Sequence, residues 1–194
     1  MKRLPPLAYL RRRRWRSRGA VVLAVLLLVA LFLADRWGVL VYGGAEATRY
    51  DGRSFDVVAV IDGDTLDLDV PDGSSATTRV RLWGINTPER GRQGRPAETG
   101  AEAATERTQE LALGQRVTLR LEPHRLRGQY GRLLAYVVLA DGTILNERLL
   151  SEGLARADDR WPHREVDRYA QLQRQAQREG RGLWFEPPPG IRGP

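Results

Sequence analysis

The residues best suited to chemistry sit in two short stretches. In Val60-Ile61-Asp62-Gly63-Asp64-Thr65-Leu66-Asp67-Leu68 an apolar run stops at Asp-Gly-Asp. It resumes as Leu66, Leu68 and Val70 alternating with Asp67 and Asp69, which reads as a hairpin with a carboxylate at its bend. In Arg79-Val80-Arg81-Leu82-Trp83-Gly84-Ile85-Asn86-Thr87-Pro88-Glu89 the apolar residues Val80 and Leu82 share one face of a strand, and Arg79, Arg81 and Trp83 share the other. Thr87-Pro88 ends that strand just before Glu89. Antiparallel pairing of the two stretches brings Asp64, Arg81, Asn86 and Glu89 into one pocket. Carboxylate, amide and carbonyl oxygens suit a hard cation such as calcium, and a guanidinium fork can engage two oxygens of an anion. A glutamate beside a bound water can orient it or deprotonate it, and the sequence does not separate these roles. Taken alone, Asp62 and Asp64 are also what an ordinary turn carries, and Arg81 what a solvated strand face carries. An EF-hand loop is excluded, because Leu66 and Gly73 stand where oxygen ligands are needed.

The elements that must position these residues follow from the pattern around them. Strands are expected over 55–61, from the Asp-Gly-Asp bend to Val70, and over 77–85, with a turn at Pro71 to Ser74. The stretch from Glu89 to Gly100 lacks an apolar pattern and reads as a mobile loop, its arginines able to guide a charged backbone. Ala101 to Leu113 is rich in Ala, Glu and Leu and stops at Gly114, which predicts a helix. Val117, Leu119 and Leu121 alternate with polar residues as a fourth strand, and Leu133 to Leu139 forms a fifth. A short helix over 145–152 stops at Gly153. A longer amphipathic one over 164–179 places Val166, Tyr169, Leu172 and Ala176 on its packing face. Five short strands with a helix between the third and fourth give the order of a mainly β, five-stranded OB-fold barrel with about three helices. Trp83 and Trp184 are expected in the core. His124 and His163 are too few and too isolated for zinc or a triad and are expected at the surface.

Composition bounds the rest. The 194 residues carry a net charge of +7, but residues 1–34 hold eight basic residues and no acid, which leaves 23 of the 31 basic residues against 24 acidic ones in the remainder. The basicity therefore belongs to the N-terminus, and whole-chain charge is no argument for nucleic-acid binding. With no cysteine, neither disulfides nor Cys-based zinc sites are available. A basic segment over 1–18 precedes a hydrophobic helix over 19–42, the pattern of a signal anchor or signal peptide. The positive charge predicts that this end stays in the cytoplasm while the remainder crosses. The chain is then membrane-anchored with its folded domain extracytoplasmic, or secreted if the signal is cleaved. A linker over 43–52, a folded domain over 53–185 and a disordered tail over 186–194 complete the expected organisation.

Several stretches in order carry a resemblance: Val60 to Thr65, Arg81-Leu82 through Asn86-Thr87-Pro88-Glu89, Gly100 to Ala103, Tyr130-Gly131-Arg132 on to Tyr136, Asn146-Glu147 with Glu152 to Ala155, and Leu183-Trp184. In these the chain resembles the staphylococcal nuclease (thermonuclease) family. The resemblance implies an OB barrel with three helices and calcium-dependent cleavage of DNA and RNA phosphodiesters. It implies Asp64 and the carbonyl of Thr87 as metal ligands, with Asp62 supporting them electrostatically. Glu89 would position or deprotonate the attacking water, Arg81 and Arg132 would hold the scissile phosphate, and Tyr130 would contact a phosphate of the bound nucleotide. Two departures matter. Asn86 stands where the family has a second metal-ligand aspartate, so the site loses a negative charge, and either weaker metal binding or help from Asp62 or Asp67 is expected. In Arg156-Ala157-Asp158-Asp159-Arg160-Trp161 only Trp161 can stack on a base. The alternative function is a non-catalytic module of the same fold that binds nucleic acid or protein; no particular protein partner can be inferred.

Overall fold

The computed structural model describes residues 22–30, 44–91 and 94–185. The chain divides into a unit of residues 1–42 and a unit of residues 43–194. In the first, residues 22–30 are helical. Among the described residues no helix is long and apolar enough to cross a membrane. The rest of the hydrophobic helix expected over 19–42 lies outside the described residues, as do the basic segment and the tail expected over 186–194.

The second unit starts with a helix where small and polar residues read as a linker: α1 spans Gly44–Tyr50. The helix forms because it has something to bury. Tyr50 is 1% exposed and lies 3.1 Å from the Thr78 hydroxyl. The guanidinium of Arg127 donates from Nε to Glu46 at 2.6 Å and from Nη1 to Asp72 at 2.5 Å, tying the helix to the turn that holds Asp72.

The strands β1 (Ser54–Asp62), β2 (Thr65–Leu68), β3 (Thr78–Leu82), β5 (Arg116–Arg120) and β6 (Leu133–Val138) close into a barrel in the order β1-β2-β3-β6-β5. Every neighbouring pair is antiparallel except β3 and β6, which run parallel. This is the expected five-stranded OB-type barrel, and closure leaves no barrel edge unpaired. Its interior is built from the alternating residues the sequence offered, Leu66, Leu68, Val80, Leu82, Val117, Leu119, Leu133 and Val137, all buried. Around it lie α2 (Ala101–Ala112), α3 (Leu145–Ser151) and α4 (Val166–Arg178), and the short turn Gly182–Trp184 closes the described chain.

The expected single strand over 77–85 is two. It breaks at Gly84, whose φ of 72° lies in the left-handed region and whose Cβ, were there one, would lie 2.5 Å from the His163 ring. Beyond the break β4 (Ile85–Asn86) leaves the barrel and pairs antiparallel with β7 (Arg156–Ala157), Asn86 opposite Arg156. Asn146, fully buried, fixes this corner: its Oδ1 accepts the Val137 N–H at 3.1 Å and its Nδ2 donates to the Trp83 carbonyl at 2.9 Å. The break matters for chemistry because it turns Asn86 and Thr87 back toward the β1–β2 bend.

Candidate active site

The bend between β1 and β2 is held from behind by α2. Thr108, fully buried, donates its hydroxyl to the Gly63 carbonyl at 2.7 Å. A Cβ on Gly63 would lie 2.8 Å from the Ala104 Cβ and 2.9 Å from the Thr87 side chain, so only glycine fits there without displacement. Asp64 is thereby fixed at the barrel end, 5% exposed. Its Oδ2 accepts the Thr87 N–H at 2.8 Å and faces Arg81 Nη1 at 2.5 Å, while the Thr65 hydroxyl lies 3.2 Å from Oδ1. The Asp64 N–H in turn donates to Asp62 at 3.2 Å. Arg81, on β3 opposite Thr65, extends its Nη2 to Asn86 Oδ1 at 2.8 Å. One guanidinium thus bridges the carboxylate and the amide that the sequence placed in one pocket.

Burial pushes the Asp64 carboxyl up to about 6; Arg81 opposes this, Asp62 adds to it, and the Thr87 N–H works against it. Asp67, considered as a substitute for the missing carboxylate, is not free for that role: Arg79 engages both its oxygens, at 2.8 and 2.9 Å. Among the described residues no three carboxylate, imidazole or thiol groups converge as a metal site. The donors at hand, the Asp64 carboxylate, the Asn86 amide oxygen and the Thr87 carbonyl, are all oxygens. They fit a hard divalent cation in type, with a low ligand charge.

Two cavities meet at Glu89 and Arg132, which border both. The first, about 600 Å³, is lined by Arg81, Asn86, Glu89 and Arg132 and runs on to Arg125, Arg156, Asp158, Arg160, Trp161 and His163. The second, about 560 Å³, lies beside Asp62, Arg79, Arg90, Arg95, Glu98 and Tyr130. Arg132 follows Tyr130 and Gly131, both with left-handed φ (65° and 72°), a kink that turns the chain into β6. Its Nε is buried with no hydrogen-bond partner among the described residues. A buried donor without a partner on a guanidinium is costly, and the same is seen at Arg148 Nε. The Glu89 backbone is fixed by the Glu98 carboxylate at 3.1 Å, which leaves its exposed side chain at the cavity mouth.

The structure therefore brings together Asp62, Asp64, Arg81, Asn86, Thr87, Glu89 and Arg132. It separates the two residues expected to touch substrate. Tyr130, 83% exposed, belongs to the second cavity and Trp161, 53% exposed, to the first. Trp83 is buried as expected and Trp184 half-buried. His163, expected at the surface, instead packs among Trp83, Tyr136 and Tyr169, and burial lowers its pKa. Arg125 was not singled out; it lies in a polar connection whose only sequence signal is its charge, and it reaches the cavity through the tertiary fold.

A closed five-stranded barrel with Asp64 and Arg81 at one end is of the OB type. Residues 79–186 match the family model described as staphylococcal nuclease homologue. The chain is 36% identical over 165 residues to a thermonuclease of Staphylococcus intermedius, covering 83% of this chain and 90% of that protein. It is 32% identical over 165 residues to a thermonuclease of Staphylococcus hyicus, covering 84% and 93%. Endonuclease YncB of Bacillus subtilis (strain 168) is 38% identical over 96 residues, half of this chain and 44% of that protein. The chain belongs to the staphylococcal nuclease family.

Proposed function

We propose that the chain is a hydrolytic nuclease that cleaves phosphodiester bonds of DNA or RNA at the junction of the two cavities, with calcium as cofactor. The observation that carries this reading is the buried, unpartnered Nε of Arg132 in a cavity it shares with Arg81 and Glu89. Attack on a phosphodiester builds negative charge on the phosphoryl oxygens. Arg81 and Arg132, which line one cavity, would meet that charge with their guanidinium groups. Arg81 is held for this by Asp64 and Asn86. Glu89, at the mouth of both cavities, would orient the attacking water or take its proton. Asp64, Asn86 and the Thr87 carbonyl would hold the cation, with Asp62 adding negative potential. Such a cation, when bound, supplies Lewis-acid stabilisation and lowers the pKa of bound water. Tyr130 and Trp161 would contact the nucleic acid on either side of the reacting phosphate.

The N-terminal pattern supports an extracytoplasmic domain, tethered to the membrane if the signal is retained and secreted if it is cleaved. Fractionation of cells making the full chain, with protease added to the outside, tests this: the 53–185 domain should be cut only from outside, and full protection would sink it. The nuclease reading is tested by incubating the full chain with single-stranded DNA, double-stranded DNA and RNA. Cleavage should require a divalent cation and be lost in Glu89→Ala.

A further inference from the structure

Trp161 stands far out of the fold for an indole, yet it is held at both ends. On its N-terminal side Asp158 is bound by Arg160 through Nε at 2.8 Å and Nη2 at 2.6 Å, and the Asp158 N–H donates to the Gly84 carbonyl at 2.9 Å. On its C-terminal side the Pro162 carbonyl accepts from His124 Nε2 at 3.0 Å. The next residue of that same connection, Arg125, lays its guanidinium over the indole, its central carbon 3.7 Å from the ring centroid. Among the described residues its hydrogen bonding is one long contact, Nε to the Arg127 carbonyl at 3.5 Å. Two consecutive residues of one loop thus grip two consecutive residues of another, and Trp161 as a residue remains 53% exposed in the cavity it lines with Arg81 and Arg132.

Trp161 thus presents accessible surface beside a groove lined by Arg81, Arg132 and Arg156. A guanidinium stacked on one face fixes the ring's plane and leaves the other face for a ligand. We propose that Arg125, with His124 behind it, is a positioning residue that sets Trp161 as a one-sided platform for a nucleobase next to the scissile phosphate. This rests on the nuclease reading of the same groove. The role belongs to the planar stack, so charge alone does not supply it: a lysine at 125 keeps the charge and loses the flat backing. The platform recognises the base, so its effect vanishes on a strand that has phosphates and no bases.

The test is fluorescence anisotropy with the full chain, in chelator so that nothing is cut, using a labelled single-stranded hexadeoxynucleotide and a fully abasic strand of equal length and charge. Trp161→Ala, Arg125→Ala and Arg125→Lys should each weaken binding of the base-bearing strand by about tenfold. Each should change binding of the abasic strand less than about twofold, and the double variant Arg125→Ala/Trp161→Ala should be no worse than either single one. Wild-type affinity in Arg125→Lys would overturn the proposal, as would equal losses on both strands or losses that multiply in the double variant. A wild-type chain that binds both strands equally, or neither, would also overturn it, while a folded wild-type chain that fails to cleave any substrate with calcium present would overturn the nuclease reading instead.

Discussion

Arg81 donates from Nη2 to the amide oxygen of Asn86 at 2.8 Å, while its Nη1 faces the Asp64 carboxylate. The guanidinium that would receive a phosphate is thus also what joins the two side chains assigned to the cation. With Asn86 the site offers a single carboxylate from these ligands; an aspartate there adds a second charge. Asn86→Asp should lower the calcium dissociation constant by about tenfold, close to 1.4 kcal/mol. Titration calorimetry on the folded protein measures this, and an unchanged constant would mean that residue 86 is not a ligand.

Arg132 and Glu89 are assigned to the transition state, so their loss should fall on turnover. Arg132→Ala should lower kcat by about 10²- to 10³-fold, and Arg132→Lys should recover only part of it, since an ammonium cannot engage two oxygens as a fork does. Glu89→Ala should lower kcat by about 10²- to 10⁴-fold. Glu89 is exposed, so its variant should melt within a few degrees of wild type. Unchanged turnover in either residue would remove its assigned role.

The Asp-Gly-Asp bend depends on what stands behind it. Thr108→Val keeps the side-chain shape but removes the hydroxyl that serves the Gly63 carbonyl. It should destabilise the fold by about 1–3 kcal/mol. Gly63→Ala forces a methyl against Ala104 and Thr87 and should cost about 1–3 kcal/mol by overpacking. Urea denaturation reads both; neutrality in both would mean that the bend tolerates displacement of α2.

Glu122 ties a second network together. It is 5% exposed and accepts from the Tyr136 hydroxyl at 2.7 Å and from the Arg164 N–H and Nε at 2.9 and 3.0 Å. Burial works to raise its pKa, but these donors together hold it below the ordinary carboxylate range. A lowered folded-state pKa gives stability that is present above the unfolded value and lost as pH falls through the folded one. Glu122→Gln should therefore be less stable by about 2–4 kcal/mol at neutral pH. The gap should narrow below the ordinary glutamate pKa of about 4.3. Urea curves at neutral and acid pH check this, and a gap that widens in acid would reverse the sign.

The barrel was legible because its strands alternate: Leu66 and Leu68, Val80 and Leu82, Val117 and Leu119 carry their inward face in the sequence. The approach of Asp64 to Arg81 was legible because hairpin pairing brings β2 beside β3, whereas Asn86 joins them only through the break at Gly84, which the sequence reading missed. What escaped depends on partners distant in the chain. Gly44–Tyr50 reads as a linker until Arg127 and Thr78 are brought to it. The two-residue strands β4 and β7 are too short for any periodicity and exist only as each other's partner. His163 looks isolated in sequence because its aromatic neighbours, Trp83 and Tyr136, come from two different barrel strands' ends. Of the helix expected over 19–42, the described residues cover 22–30.

The most direct measurement is degradation of single-stranded DNA, double-stranded DNA and RNA by the full chain with calcium, with magnesium and with chelator, beside Arg132→Ala under the same conditions. A calcium-dependent nuclease should cleave at least one of these substrates with calcium, the cleavage being abolished by chelator and lowered by at least about 10²-fold in the variant. No cleavage by a folded wild-type chain under any of these conditions, or equal cleavage by Arg132→Ala, would contradict it.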